Sequence, residues 1–362
     1  MCRVVSEQRL PPQGGLPPAQ QPEESTSDAV VEIACDESGF SGTNLLDAAT
    51  PLFTHASLDL RIDEAADLTD TLRSGVRWSL HEVKSGPVLR GPDARAALAW
   101  LLERLGGRAH VHVVDKELFL ASRVVDVLLV EPSYLAGTRL VAGDRPASLA
   151  LFRAGRRHAE PWLAFLDALG ALLRTKRRHR PDADIVDAFL LARDDLLGAL
   201  RAGSTVASTA VELLAALRRE RVADVAARIA DGDRSVPPPL EPLLPALAET
   251  VLFWSAGTRR VRVVHDEQSA LTADRLRRLQ DALARAMPES PSPLTGLVTV
   301  DSRDDPRVQV ADLLAGVARR SPDVLADPLL RPYLSPTSLV DPLHRPGGDA
   351  HDRSGPSVGA DR

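Results

Sequence analysis

Strand-type and helix-type hydrophobic patterns alternate in the first and last parts of the chain. Short apolar runs predict strands at residues 30–35, 52–60, 77–86, 110–115, 259–268 and 294–302. Apolar residues at helical spacing predict helices at residues 91–107, 116–130, 272–287 and 306–320. Pro306, placed after the potential cap Asp305, is a further start signal for the last helix. The alternation predicts an α/β fold.

The middle of the chain, residues 145–250, has a helical pattern almost throughout. This stretch is interpreted as a helical insertion or as a second small domain. Residues 1–28 and 341–362 are rich in Pro and polar residues, so both are predicted to be disordered tails. A folded region at residues 29–340 lies between them.

The composition is typical of a globular protein, with 44% hydrophobic and 26% charged residues. No apolar run approaches the roughly 18 residues that span a membrane, and the N-terminal residues lack the apolar segment of a signal peptide. Only two cysteines occur, Cys2 and Cys35. These features predict a soluble cytoplasmic protein without a membrane partner. The dominance of Arg and Ala suggests a GC-rich bacterial genome.

Three of the predicted strands run directly into acidic residues. Asp36 and Glu37 follow the first strand, Asp115 ends the strand at 110–115, and Asp266 follows an apolar run beginning at Val261. Sites in α/β proteins are assembled at the carboxyl ends of strands. Because turns also favour Asp, each instance alone is better explained by an ordinary turn. Three together favour a functional site.

Asp312 lies inside the nearly apolar helix at 306–320, and Gln309 lies one turn before it on the same face. An unpaired carboxylate in such a setting is costly, and its pKa is raised. A metal ion, a cation or a hydrogen-bond donor should therefore compensate it. The structural alternative is an Asp that accepts from a loop amide or pairs with an Arg.

Glu82 and Lys84 occupy alternate positions of the predicted strand at 77–86, so both should point to the same side. They are candidates to join the acidic site. The alternative is an exposed ion pair on a solvated edge strand.

Clustered carboxylates without a Cys or His set suit hard cations such as Mg²⁺ or Mn²⁺. Two such ions about 4 Å apart activate a water molecule and stabilise the leaving oxygen in phosphodiester hydrolysis. Other chemistries lack their motifs, since the sequence contains no GxGxxG, no Walker-type loop and no GxSxG.

Four segments taken in order, DESGFSGTNLLD, HEVKSG, VVHDEQ and VQVADLLAGVA, resemble the domain of unknown function 3800 family. The resemblance covers about residues 29–320 and implies an RNase H-like fold, with a mixed sheet and helices on both faces. It implies an acidic site where the first strand meets the last helix. On this basis Asp36, Asp266 and Asp312 are the central carboxylates, with Asp115 as the competitor of Asp266.

The resulting hypothesis is a metal-dependent nuclease in which Asp36, Asp266 and Asp312 bind Mg²⁺ or Mn²⁺. Other nearby groups would complete the site: Glu37, Glu82 or Asp115 as further acids, and Lys84 or Lys116 to contact the scissile phosphate. The basic run at 174–180 could contact the nucleic-acid backbone, although such a run is also typical of a solvated helix end. The rival hypothesis is a non-catalytic binding or regulatory module whose acids are ion-paired with arginines.

Overall fold

The computed structural model describes residues 29–40, 42, 44–75, 94–140, 145–174, 183–202, 208–287, 292–321 and 323–343. Within these residues the chain forms an α/β fold, a five-stranded mixed sheet with helices on both faces. The predicted N-terminal tail, the predicted strand at 77–86 and most of the predicted C-terminal tail lie outside the described residues.

The strands are β1 (Val30–Ser38), β2 (Leu52–Leu58), β3 (Ala109–Asp115), β4 (Arg260–Asp266) and β5 (Leu294–Val300). Their order across the sheet is β3-β2-β1-β4-β5, which places β1 at the centre. β2 is antiparallel to both of its neighbours, whereas β4 is parallel to β1 and to β5. The strands β1, β3, β4 and β5 therefore end at the same edge of the sheet.

The helices are α1 (Ile62–Gly75), α2 (Ala94–Leu105), α3 (Lys116–Arg123), α4 (Tyr134–Gly137), α5 (Arg145–Arg156), α6 (Ala159–Leu172), α7 (Ala183–Ala202), α8 (Thr209–Ala216), α9 (Arg219–Ala230), α10 (Leu243–Ser255), α11 (Ala273–Ala286) and α12 (Pro306–Arg320). A π-helical stretch, Val124–Leu129, continues α3, and a short 3-10 helix covers Arg331–Tyr333.

The two faces of the sheet belong to two separate hydrophobic cores. We call the front face the side to which Ala34 and Val264 point, where they pack with α1, α2 and α12. The back face is the side of Ile33 and Val263, which pack with α3 and with the helices from α5 to α11. Because side chains alternate along a strand, neighbouring residues of β1 contribute to different cores.

The predicted helical stretch at 145–250 is confirmed, since α5 to α10 lie there and pack on the back face. The sequence pattern did not predict α1. Its buried residues Ala65, Leu68 and Leu72 do follow helical spacing, and Asp63 and Glu64 occupy its first turn, where carboxylates stabilise a helix.

The segment after α12 covers the outer edge of β3. Leu334 and Leu339 form parallel bridges with β3, and Asp341 pairs with Arg153 at 2.6 Å. Asp341, where the tail was predicted to begin, is 4% exposed, so packed structure continues to this residue. None of the described helices is long and apolar enough to cross a membrane.

Candidate carboxylate site at the sheet edge

Asp36 and Asp266 lie side by side at the carboxyl ends of β1 and β4. Cys35 pairs with His265 in the parallel ladder, so the next residue of each strand is Asp36 and Asp266. Neighbouring strands are about 4.8 Å apart. Two residues earlier, Ala34 and Val264 belong to the front-face core, so strand alternation places both carboxylates on the front face.

The helix α12 brings Asp312 to the same face. Asp305 caps the start of this helix by accepting from the amide of Arg307, and Pro306 occupies the first turn, as predicted. Thr54 Oγ1 donates to the carbonyl of Ala315 at 2.8 Å, which fixes α12 against β2. Asp312 is half-buried, whereas its helix neighbours Ala311 and Leu313 are buried.

Gly39 of the DESG segment allows this close packing. Its φ angle is +86°, a region that favours glycine. A Cβ atom at this position would clash with the carbonyl oxygen of Leu52 and with the Arg319 side chain on α12. The glycine therefore serves the approach of α12 to the end of β1.

Three other carboxylates lie close enough to Asp36 to affect its ionisation. Burial raises the pKa of Asp36 to about 9, and the negative charges of Glu37, Asp312 and Asp266 contribute to this rise. The hydrogen bond from the amide of Glu37 acts in the opposite direction and lowers the pKa. The residue is only 5% exposed. The three side chains that raise this pKa by their charge are all carboxylates, so ionising Asp36 adds negative charge to an already negative site.

Backbone amides orient two of these carboxylates. Asp36 Oδ1 accepts from the amide of Glu37 at 2.7 Å, and Asp266 Oδ1 accepts from the amide of Ser302 at 3.0 Å. Among the described residues, neither Oδ2 atom has a hydrogen-bond partner.

Glu37 lies at the same level but points to the back face. It pairs with His55 in the β1–β2 ladder. Its Oε1 accepts from Gln268 Nε2 at 2.5 Å, and its Oε2 lies 3.7 Å from His265 Nε2. Glu37 therefore affects the front-face site by its charge, while its own contacts lie on the opposite side of the sheet.

Asp115 does not join the cluster. Asp36 aligns with Ala56 and, through it, with Val111 of β3, so Asp115 lies four residues further along and two strands away. These offsets correspond to about 13 Å along the strands and about 10 Å across them. Asp115 instead caps α3 by accepting from the amide of Leu118 at 3.0 Å. Of the two candidates for the middle-strand acid, Asp266 lies beside Asp36.

Burial raises the pKa of Asp115 to about 6, an effect that the bond from Leu118 opposes. The adjacent Lys116 is 1% exposed and donates to Thr50 Oγ1 at 3.1 Å. Burial lowers its pKa to about 8. Lys116 is thus a buried residue at the start of α3, two strands from Asp36. The candidates Glu82 and Lys84, and residues 175–180 of the basic run, lie outside the described residues.

A buried histidine layer on the back face was not predicted. It consists of His55, His112 and His265, which are all 0% exposed, together with Thr250 of α10. Thr250 Oγ1 lies 3.0 Å from His55 Nδ1 and 3.3 Å from His112 Nδ1, and the rings of His55 and His265 stack at 5.4 Å. Burial holds the pKa values of His55 and His112 well below the usual range. The alternating HVHVV pattern could have indicated inward-facing histidines.

The front-face carboxylates suit a hard cation by donor type, and a cation would offset their mutual repulsion. In the part of the chain that the structure describes, however, no group of three or more His, Cys, Asp or Glu side chains is positioned to hold a metal ion. No family model matches this chain, and no curated protein or solved structure is significantly similar to it.

Proposed function

We propose that this protein is an RNase H-like, metal-dependent nuclease whose front-face carboxylates, Asp36, Asp266 and Asp312, bind Mg²⁺ or Mn²⁺. The observation that carries the proposal is the convergence of these residues from β1, β4 and α12 on one edge of the sheet. The mixed sheet with helices on both faces is compatible with this fold assignment.

For two of the three carboxylates, Asp36 and Asp266, the surroundings support a role in the site. Asp36 is central, because its charge interacts with those of both other residues. Asp36 accepts a hydrogen bond from the amide of Glu37, and Asp266 accepts one from the amide of Ser302, in each case through Oδ1. The metal, when bound, would activate water and stabilise the leaving oxygen of a phosphodiester. Nucleic acid would be the substrate.

The alternative, a non-catalytic module with ion-paired acids, predicts arginine partners for the same carboxylates. Many acids in this protein do have them: Asp341 pairs with Arg153, and Glu249 pairs with Arg139. For Asp36 and Asp266, the described residues provide no such ion pair. At these two positions the described contacts favour the nuclease hypothesis.

The test is calorimetric titration of Mn²⁺ into the wild-type protein and into an Asp36→Asn, Asp312→Asn double variant. A matched control, Asp67→Asn with Asp281→Asn, removes two exposed carboxylates elsewhere. Mn²⁺ binding should be lost only in the first variant, which should still melt cooperatively. Absent binding to the wild type, or equal binding to all three proteins, contradicts the proposal.

A hydrolysis assay then tests the activity itself. Labelled single-stranded and double-stranded DNA and RNA are incubated with Mn²⁺ and, in parallel, with EDTA. We expect cleavage of at least one substrate with Mn²⁺, and none with EDTA or with the Asp36→Asn, Asp312→Asn variant. Metal binding without cleavage of any of them would contradict the nuclease assignment.

A further inference from the structure

A groove of about 480 Å³ opens at the carboxyl edge of the sheet. We define it by six of its lining residues, which are Phe40, Pro239, Leu240, Glu241, Ser269 and Arg275. Its volume is in the range of small-ligand sites, which commonly occupy about 300–1,000 Å³. None of these residues belongs to the candidate carboxylate site.

The groove is built from the loops that leave the site strands. Phe40 lies two residues beyond the end of β1, and Ser269 follows β4 after three residues. Gln268, next to Ser269, donates to Glu37, which ties these two loops together. In α/β sheets, ligands bind in the crevice outside the carboxyl ends of the strands. The groove lies on the back-face side of this edge, where Leu240 belongs to the back-face core and Gln268 contacts Glu37. A ligand in the groove would therefore lie across the edge of the sheet from the front-face carboxylates.

Glu241 provides an acceptor that the described residues leave unused. It is 8% exposed, and its Oε2 accepts from Arg275 Nη1 at 2.5 Å. Its Oε1 is buried and has no hydrogen-bond partner among the described residues. Buried polar atoms are nearly always hydrogen-bonded, so this oxygen at the groove wall is a candidate acceptor for an N–H or O–H donor of a ligand.

Arg275 places donors beside this acceptor. Its Nη1 also donates to the carbonyl of Ala270 at 3.0 Å, which fixes the guanidinium at the groove wall. Within the described residues, Nε and Nη2 of Arg275 have no hydrogen-bond partner. An acceptor and a donor side by side match the edge of a nucleobase, which presents a donor that can face Glu241 and an acceptor that can face Arg275.

We propose that the groove binds one unpaired nucleobase of a single-stranded nucleic acid whose backbone crosses this edge of the sheet to reach the carboxylate site. The Phe40 ring and the apolar wall at Pro239 and Leu240 would contact the base faces, and Glu241 with Arg275 would contact its edge. Stacking on an aromatic side chain is the usual way in which proteins hold single strands. A paired base could not enter, so the inference assigns single strands as the substrate class and rests on the proposed nuclease function.

The test measures binding in EDTA, which separates it from metal binding and from hydrolysis. The probe is a fluorescein-labelled single strand of about eight nucleotides, a length typical of such sites. It is compared by anisotropy with its duplex and with a strand of equal charge in which successive single positions are made abasic. We expect the wild type to bind the single strand at least about fivefold more tightly than the duplex and than one of the abasic strands.

Two variants locate the effect in the groove. Phe40→Ala removes the aromatic wall, and Ser269→Trp fills the space from an exposed position. Each should remove the preference for the intact strand over the abasic strand. The matched control is Phe253→Ala, which truncates an aromatic residue that stacks on His110 near the opposite edge of the sheet. This control should keep the preference.

Loss of abasic discrimination in Phe40→Ala and Ser269→Trp, but not in Phe253→Ala, would support the assignment. Equal binding of intact and abasic strands by the wild type, or unchanged discrimination in both groove variants, would overturn it. Failure of the nuclease proposal has a different signature, which is discrimination in EDTA without any cleavage in Mn²⁺. Cleavage without base discrimination would overturn the groove assignment alone.

Discussion

The front and back faces of the sheet carry opposite kinds of ionisable group at the same level of the strands. On the front face, Asp36 lies among other carboxylates and its pKa is raised to about 9. On the back face, His55 and His112 have pKa values well below the usual range. Burial is the largest cause on both sides, since it favours the uncharged form of an acid and of a base alike.

The faces differ in what accompanies the buried group. His55 and His112 share the Thr250 hydroxyl, which is a neutral partner. Asp36 has like-charged neighbours instead, and two of them, Asp266 and Asp312, are only half-buried. A perturbed pKa alone therefore does not mark a functional site here. Unfavourable charge that remains accessible is the better indicator, because a ligand can offset it.

Gly39→Ala is the substitution with the largest expected effect, because it disturbs the packing of α12 against the sheet. A Cβ would clash with the Leu52 carbonyl and with Arg319, in a backbone conformation that disfavours alanine. We expect a loss of about 3 kcal/mol or more in the free energy of unfolding, measured by urea denaturation. The control is Gly257→Ala, which has φ +79° but no atom within 4 Å of the new Cβ. Equal losses in the two variants would show that close packing at Gly39 does not matter.

Asp36→Asn tests the front face alone, because it removes the carboxyl group whose ionisation lowers the stability of the fold. An acid with a raised folded pKa contributes stability below its unfolded pKa of 3.8 and loses it as the pH rises towards about 9. In EDTA, the variant should gain about 2 kcal/mol or more over the wild type at pH 8, and little at pH 4. Chemical denaturation across this range measures the difference. A gain independent of pH would contradict the electrostatic explanation.

Local sequence patterns predicted the strand ends well but could not predict which of them meet. The runs before Asp36, Asp115 and Asp266 look equivalent, yet β1 pairs with β4, more than 200 residues away, and not with β3. The opposite orientation of Glu37 was not predicted, because this residue was expected to complete the acidic site, although strand alternation places it on the side away from Asp36. The groove depends on Glu241 meeting Arg275 and Phe40, a tertiary arrangement without a local signal.

On the back face, a double variant, His55→Gln with His112→Gln, should show the opposite pH dependence. A base with a depressed folded pKa contributes stability above its unfolded pKa of 6.5 and loses it as the pH falls. The advantage of the wild type over this variant should shrink by about 1 kcal/mol per pH unit for each ring below pH 6.5. Denaturation at pH 7.5, 6 and 5 would test this. A constant difference would mean that the rings do not remain neutral in the fold.

The substitution with the smallest expected effect, Ser208→Ala, serves as a control in which no ionisable group is changed. Ser208 caps α8 by accepting from the amide of Val211, and it lies in neither the carboxylate cluster nor the histidine layer. Ser208→Ala should lower the free energy of unfolding by about 0.5–1 kcal/mol, whereas Ser208→Asn, another good cap, should retain it. Because no ionisable group is involved, the loss should be equal at pH 5 and pH 8. A loss that changed with pH would mean that pH acts on the stability of the whole fold. The opposite pH dependences of stability expected for Asp36 and for the histidines could then no longer be assigned to the two faces.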